Sequence, residues 1–196
     1  MITLLDLPQP SNQLKDLILS VANSAPLELD LKKKHDTIQN FTKNSVSRKF
    51  IEDNEELNSL ACQEFAPLFE EKILPAVGIV KNITGDKFAC WPPHSDRVRI
   101  FALNYYLQEG GENVETVTYK YLDNHNAGIG TGRIYKYDEL EEDERFRLKM
   151  ESWYALSVRQ AHSVENIETT RIIFTLSFHD ITYFDFLKKY PQYIKE

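Results

Sequence analysis

Two short stretches of this chain carry the residue types that chemistry needs. The first is Trp91-Pro92-Pro93-His94-Ser95-Asp96. In extended backbone, residues two apart point to the same side, so His94 and Asp96 present an imidazole and a carboxylate to one point while Ser95 faces away. The second is His162, 68 residues later and just before an apolar strand. If the two segments lie side by side, the set is two histidines and one aspartate. Two neutral imidazoles and a carboxylate occupy one face of an octahedral metal and leave the other face open, the facial arrangement of non-haem Fe(II) oxygenases. Zinc binds the same ligand types, usually four-coordinate with a water. Taken alone, His-x-Asp is equally a turn in which Asp96 caps a backbone amide.

A third element adds to these. Arg171, nine residues after His162, opens the run Arg171-Ile172-Ile173-Phe174-Thr175-Leu176-Ser177-Phe178. An arginine beside an apolar interior must meet an anion, because burying an unpaired charge is costly. A guanidinium grips a carboxylate through two parallel hydrogen bonds. The bland alternative is a salt bridge to one of the chain's acidic residues.

The order His94-x-Asp96, then His162-Ser163-Val164-Glu165-Asn166, then Arg171 resembles the Fe(II)- and 2-oxoglutarate-dependent oxygenases. Trp91-Pro92-Pro93-His94 leading into Arg97-Val98-Arg99-Ile100-Phe101, with Arg171-Ile172-Ile173-Phe174 further on, is similar to the aspartyl/asparaginyl-hydroxylase branch. Tyr105-Tyr106-Leu107-Gln108 followed by Gly110-Gly111-Glu112 is similar to the prolyl-hydroxylase branch. The resemblance spans about residues 76 to 178 and does not cover the first third. It departs from the family at Ile173, where many members carry Ser or Thr, and the branch stays unassigned.

The resemblance implies a double-stranded β-helix, a jelly-roll barrel with the metal inside its mouth. It implies Fe(II) held by His94, Asp96 and His162, with 2-oxoglutarate and O2 as cosubstrates and Arg171 on the far carboxylate. The implied outcome is hydroxylation of a substrate C–H bond with release of succinate and CO2. The substrate class stays open among a protein side chain, an amino acid and a small metabolite. The alternative is a non-redox cupin or jelly-roll domain that binds a metal or ligand, although cupins usually show His-x-His with a downstream Glu rather than His-Ser-Asp.

Which further residues face the site depends on strand register. An uninterrupted strand through Asp96 turns Ile100, Ala102, Asn104 and Tyr106 inward; a turn near Arg97 turns Arg99, Phe101, Leu103 and Tyr105 inward instead. A slip of one residue exchanges the faces. The resemblance favours the odd set, with Tyr105 as a second donor to 2-oxoglutarate, Arg99 nearby and Asn104 in reserve.

The elements that must hold these residues read as mainly β with N-terminal helices. Ser11 or Asn12 caps a helix with Leu14, Leu17, Ile18 and Val21 on one face. A second helix starts near Asn54, its stripe running through Leu57, Leu60, Ala61, Phe65, Leu68 and Phe69, with a kink or restart at Pro67. From Leu74 onward the texture is that of strands: Ala76–Ile83, Lys87–Cys90, Arg97–Leu107, Val114–Tyr121, Arg133–Tyr137, Trp153–Val158 and Arg171–Phe178. Turn residues separate them, including three glycines in Asp123–Gly132. Strands at this spacing without long helices between them suggest an antiparallel sandwich or barrel. The charged segment Asp138–Lys149 reads as an exposed turn or short helix, and Tyr183–Lys189 as a final helix stopped before Pro191. The division is one domain over 1–196: a largely helical support over 1–73, a barrel core over 74–180 and a tail over 181–196.

Composition bounds the rest. The chain has 196 residues, too few for an eight-fold β/α barrel of about 250. Hydrophobic residues make up 42% and charged residues 27%, both values of a globular chain. Lys and Arg number 23 against 30 Asp and Glu, a net charge of -7, which argues against a broad nucleic-acid face. The run Lys32-Lys33-Lys34 reads as a solvated loop. Cys62 and Cys90 suit two thiols in a reducing compartment. No apolar run approaches the ~20 residues of a membrane span, and Met1–Asp6 lacks the basic start of a signal peptide. The reading is a cytoplasmic protein, monomer or homodimer. His35, His125 and His179 carry no motif.

Overall fold

The structure is a computed structural model that describes residues 1–25, 46–85, 89–122 and 134–195. The elements in chain order are β1 (Ile2–Leu5), α1 (Asn12–Ser24), β2 (Val46–Ile51), α2 (Glu55–Phe65), β3 (Leu74–Asn82), β4 (Trp91–His94), β5 (Phe101–Glu109), β6 (Glu115–Tyr121), β7 (Leu140–Phe146), β8 (Trp153–Leu156), β9 (His162–Glu165), β10 (Thr170–Phe178) and α3 (Tyr183–Lys189).

The strands form two antiparallel sheets. The large one runs β1-β8-β5-β10-β3-β2 and the small one β4-β9-β6-β7. Eight successive strands, β3 to β10, pair as a long hairpin would: β3 with β10, β4 with β9, β5 with β8 and β6 with β7. The hairpin is rolled, so that β10 also pairs with β5 and β6 also pairs with β9. That connectivity defines a jelly roll, the double-stranded β-helix, and it brings the two sheets face to face.

Helices cover the outer face of the large sheet. Ser11 caps α1 by accepting from the Leu14 amide, and Asn54 caps α2 by accepting from that of Leu57. The α2 helix stops at Phe65, and a single 3-10 turn with Pro67 follows, because proline cannot supply the next helical N–H. The apolar faces of α1 and α2 pack with α3 onto Val77, Ile79, Phe101, Leu103, Tyr105, Trp153, Phe174, Leu176 and Phe178. Aromatic edges fill this layer, with Phe65 against Trp153 at 5.2 Å and Phe101 against Phe186 at 4.7 Å between ring centres.

Three sequence expectations change. The first third is not only helical, for β1 and β2 are the two edge strands of the large sheet. The segment expected as a turn or short helix contains β7, the edge of the small sheet, whose charges are paired: Arg145 with Glu115, Glu142 and Glu165, and Asp143 with Lys120. Edge strands carry charge on purpose, which hides them from an alternation test. In Arg133–Tyr137, the described residues make one isolated bridge, Ile134 to His94, and Tyr137 opens a 3-10 turn. Lys32–Lys34, His35, His125, the loop around it and much of Lys87–Cys90 lie outside the described residues. Among the described residues no helix is long and apolar enough to cross a membrane.

Candidate metal centre

The two histidines meet because β4 and β9 are neighbours. His94 stands opposite His162 across the ladder, their rings 4.3 Å apart between centres. Pro92 and Pro93 are tolerated in β4 because it is the edge of the small sheet. Past His94 the backbone leaves the ladder. The Asp96 amide donates to the Val158 carbonyl at 2.9 Å, and the Ser95 hydroxyl turns the other way, to Tyr135 at 3.2 Å. The ligand atoms of His94, Asp96 and His162 all lie within 4.8 Å of one another.

Both imidazoles are held in the form a metal requires. His94 Nδ1 lies 2.9 Å from the Pro92 carbonyl and His162 Nδ1 2.9 Å from the Gln160 carbonyl. A carbonyl only accepts, so each Nδ1 carries the proton and each Nε2 keeps its lone pair. Burial, then repulsion from His162, pushes the His94 pKa well below its ordinary value. Burial also lowers that of His162, and the Asp96 carboxylate opposes the shift. Two neutral donors beside a carboxylate therefore exist at neutral pH, a donor set that suits a divalent ion of borderline softness. The Trp91 indole donates to His94 Nε2 at 3.1 Å, the lone pair an ion would take.

These groups line a cavity of about 470 Å³ between the sheets. Arg171 also lines it, only 3% exposed. Its Nη2 donates to the Thr116 hydroxyl at 3.0 Å, and its guanidinium lies 4.7 Å from the centre of the Tyr106 ring. Its buried Nε has no hydrogen-bond partner, and among the described residues no carboxylate pairs with it. A buried, charged and half-satisfied donor is a site prepared for an anion. Gly110, at φ +93°, permits the close passage of Arg171: a Cβ there would lie 3.0 Å from the Arg171 Cβ.

The register on β5 is the even one, so the expectation for Tyr105 is corrected. Asn104 and Tyr106 line the cavity. Tyr105 points to the helical layer, where its ring packs 5.1 Å from that of Trp153 and its hydroxyl donates to Gln9. It cannot reach a ligand between the sheets, because neighbouring residues of a strand face opposite sides. Asn104 lines the cavity with its amide 3.5 Å from the Tyr106 hydroxyl. Arg99 also lines it and forms an ion pair with Asp96 that lacks hydrogen-bond alignment. Sequence reasoning did not single out Thr116, Tyr106 or Thr175 as contacts. The signal for Tyr106 was its place in the even set. Thr116 had none, since its role depends on which strand faces Arg171 across the sandwich.

No protein-family model matches this chain, and no curated protein matches it in sequence. Solved structures similar to it include a prolyl hydroxylase from Trichoplax adhaerens in complex with a peptide fragment of the hypoxia inducible factor oxygen degradation domain, at 12% identity. That match covers 90% of this chain and 82% of that one, with a TM-score of 0.46. The viral collagen prolyl hydroxylase of Paramecium Bursaria Chlorella virus-1, a 2OG complex, is 10% identical over 88% of this chain and 92% of that one, with a TM-score of 0.45. The match to ycfD of E. coli is 11% identical, covers 75% of this chain and has a TM-score of 0.43. This chain spans about a third of ycfD, 36% of its length.

Proposed function

We propose that this protein is an Fe(II)- and 2-oxoglutarate-dependent oxygenase that hydroxylates a C–H bond of its substrate, with release of succinate and CO2. The observation that carries the reading is the convergence of His94, Asp96 and His162 in the cavity that also holds the half-satisfied Arg171. In this reading residues 74–180 are the catalytic barrel and residues 1–73 its support.

His94 Nε2, His162 Nε2 and an Asp96 oxygen hold the iron, which supplies activation of O2 when bound. The Pro92 and Gln160 carbonyls fix the two imidazole rings, and Arg99 steers the Asp96 carboxylate. Arg171 grips the far carboxylate of 2-oxoglutarate. Its Thr116 contact is two residues along β6 from Thr118, which stands beside His162. That offset is about 7 Å along the strand, so the Arg171 contact is set apart from the His162 position along the cavity wall. The Thr116 and Tyr106 hydroxyls stand where Ile173 offers none. Leu156 and Val158 close the apolar wall and keep water from the reacting atoms.

One observation favours the non-redox reading: the Trp91 indole satisfies His94 Nε2 without any ion. Calorimetric titration with Fe(II) under nitrogen tests the ligand set, and 2-oxoglutarate binding to the loaded protein separates the two readings. The oxygenase reading expects one site per chain and a loss of at least roughly 100-fold in affinity for Asp96→Ala, more than an outer partner usually costs, with the fold intact by circular dichroism. Unchanged iron affinity in that variant would remove Asp96 from the ligand set.

A further inference from the structure

Across the cavity from the metal ligands, the wall carries a neutral polar pair that the proposed reaction does not use. His94 and His162 belong to the small sheet, whereas Asn104 on β5 and Thr175 on β10 belong to the large one, and all four line the same cavity. Asn104 and Thr175 are partners in the ladder between β5 and β10. Side chains directly opposite in a ladder stand about 5 Å apart on one face, so the carboxamide and the hydroxyl act at one place. Both residues are buried, Asn104 at 6% exposure and Thr175 at 1%. Thr175 Oγ1 has no hydrogen-bond partner among the described residues. The Asn104 amide has only the Tyr106 hydroxyl at 3.5 Å, beyond the ordinary range for such a bond. Along β10, Ile173 stands between Thr175 and Arg171 on the cavity side. About 13 Å of strand separates the two, so the pair and the guanidinium are separate points on the wall.

We propose that Asn104 and Thr175 receive a neutral amide group of the substrate, from a peptide bond or a carboxamide, and so turn its reacting carbon toward the metal. The proposal rests on the oxygenase reading for the metal and the reaction. A buried polar atom without a partner is destabilising, and a ligand that supplies the missing bond removes that penalty. Asn104 offers a carbonyl acceptor and N–H donors, and the Thr175 hydroxyl donates and accepts. An amide group carries the matching set, a carbonyl that accepts and an N–H that donates. Neither side chain brings charge, and Ile173, Leu156 and Val158 make the neighbouring lining apolar. The charged groups Asp96 and Arg99 are already paired with each other. An ionised substrate group at Asn104 and Thr175 would lose its water without gaining a counter-ion.

The test is a titration of the protein loaded with Mn(II) and saturating 2-oxoglutarate. It is read by the relaxation that Mn(II) imposes on the protons of the probe, with the Zn(II)-loaded protein as the blank. Four probes of equal size are compared: pentanamide, N-methylbutanamide, methyl butanoate and pentanoate. The expected result is that at least one amide binds about fivefold or more tighter than the ester and the acid. Thr175→Ser keeps that preference, because it keeps the hydroxyl. Thr175→Val and Asn104→Leu, both close in shape to the native residue, remove it and leave 2-oxoglutarate affinity unchanged. Tighter binding of N-methylbutanamide assigns the group to a peptide bond, and tighter binding of pentanamide to a carboxamide. No amide preference, with Mn(II) and 2-oxoglutarate bound, would overturn the proposal and leave the oxygenase reading standing, with Thr175 answered by water only. Loss of 2-oxoglutarate affinity in Thr175→Val would also overturn it, by placing the pair in the cosubstrate site. Absence of Mn(II) or 2-oxoglutarate binding in the unaltered protein would sink the oxygenase reading, and the proposal with it.

Discussion

Along β10, Ile172, Phe174, Leu176 and Phe178 face the helices, whereas Arg171, Ile173 and Thr175 face the cavity. The same strand builds a dry aromatic layer on one side and a polar chamber on the other. β5 repeats the division, with Phe101, Leu103 and Tyr105 on the helical side and Asn104 and Tyr106 on the other. On the helical side the Trp153 indole donates to the Pro8 carbonyl and the Tyr105 hydroxyl to Gln9. On the cavity side, Arg171 Nε and Thr175 Oγ1 are buried without partners. The contrast teaches that one face of the sheet supplies stability and the other holds unspent polar capacity. A fold keeps such capacity at a cost, and a ligand is what would use it.

Substitutions on the two faces should therefore fail in different assays. The largest effect on stability is expected for Phe174→Ala, which empties the centre of the aromatic layer. It should cost about 3–5 kcal/mol, read as a lower urea midpoint, while leaving iron stoichiometry unchanged in the folded fraction. A loss below about 1 kcal/mol would mean that the helical layer is not the main core. Next comes Arg171→Met. It should weaken 2-oxoglutarate binding by about 2–5 kcal/mol and leave stability level or higher, since a buried charge without a full set of partners stabilises little. Unaltered 2-oxoglutarate affinity would put the carboxylate elsewhere.

A pH effect sharpens the comparison from the other side. His162 is buried and His94 half-buried, and both have pKa values lowered from the ordinary 6.5. Below pH 6.5 the unfolded chain takes up protons that the folded chain refuses, so the stability these groups contribute is present above 6.5 and lost as pH falls. Urea midpoints of the metal-free chain should drop between pH 7.5 and 5.5, and less so in His94→Gln. Equal slopes in the two proteins would mean that His94 is not held neutral. The smallest expected effect is that of Thr175→Val. The hydroxyl has no partner to lose, so the change should lie within about 0.5 kcal/mol. A drop above about 1 kcal/mol would show that the hydroxyl is satisfied after all.

Much of this was legible in the residues. The first helix was expected to be capped by Ser11 or Asn12, and Ser11 caps it; the second was expected to start near Asn54 and does; Tyr183–Lys189 forms the last helix where it was expected. The two-residue spacing of His94 and Asp96 did place both toward His162. What stayed hidden depended on tertiary context. β7 and β2 are edge strands whose charged residues break the alternation, and four-residue β1 is too short to show a period. The register of β5 turned on the path of residues 95–100 between the sheets, a length no periodicity reports. Both registers were consistent with the sequence; burial of Tyr105 against Trp153 decides for the even one.

The central claim is that iron and a dicarboxylate share the cavity between His94, Asp96, His162 and Arg171. Anaerobic titration of the Fe(II)-loaded protein with 2-oxoglutarate tests it most directly, by following the weak visible charge-transfer band of the chelate. The account expects a band that saturates at one equivalent per chain and that Arg171→Met shifts to far higher 2-oxoglutarate concentration. Iron bound at one equivalent with no band at any concentration would contradict it and leave a jelly roll that holds a metal for another purpose.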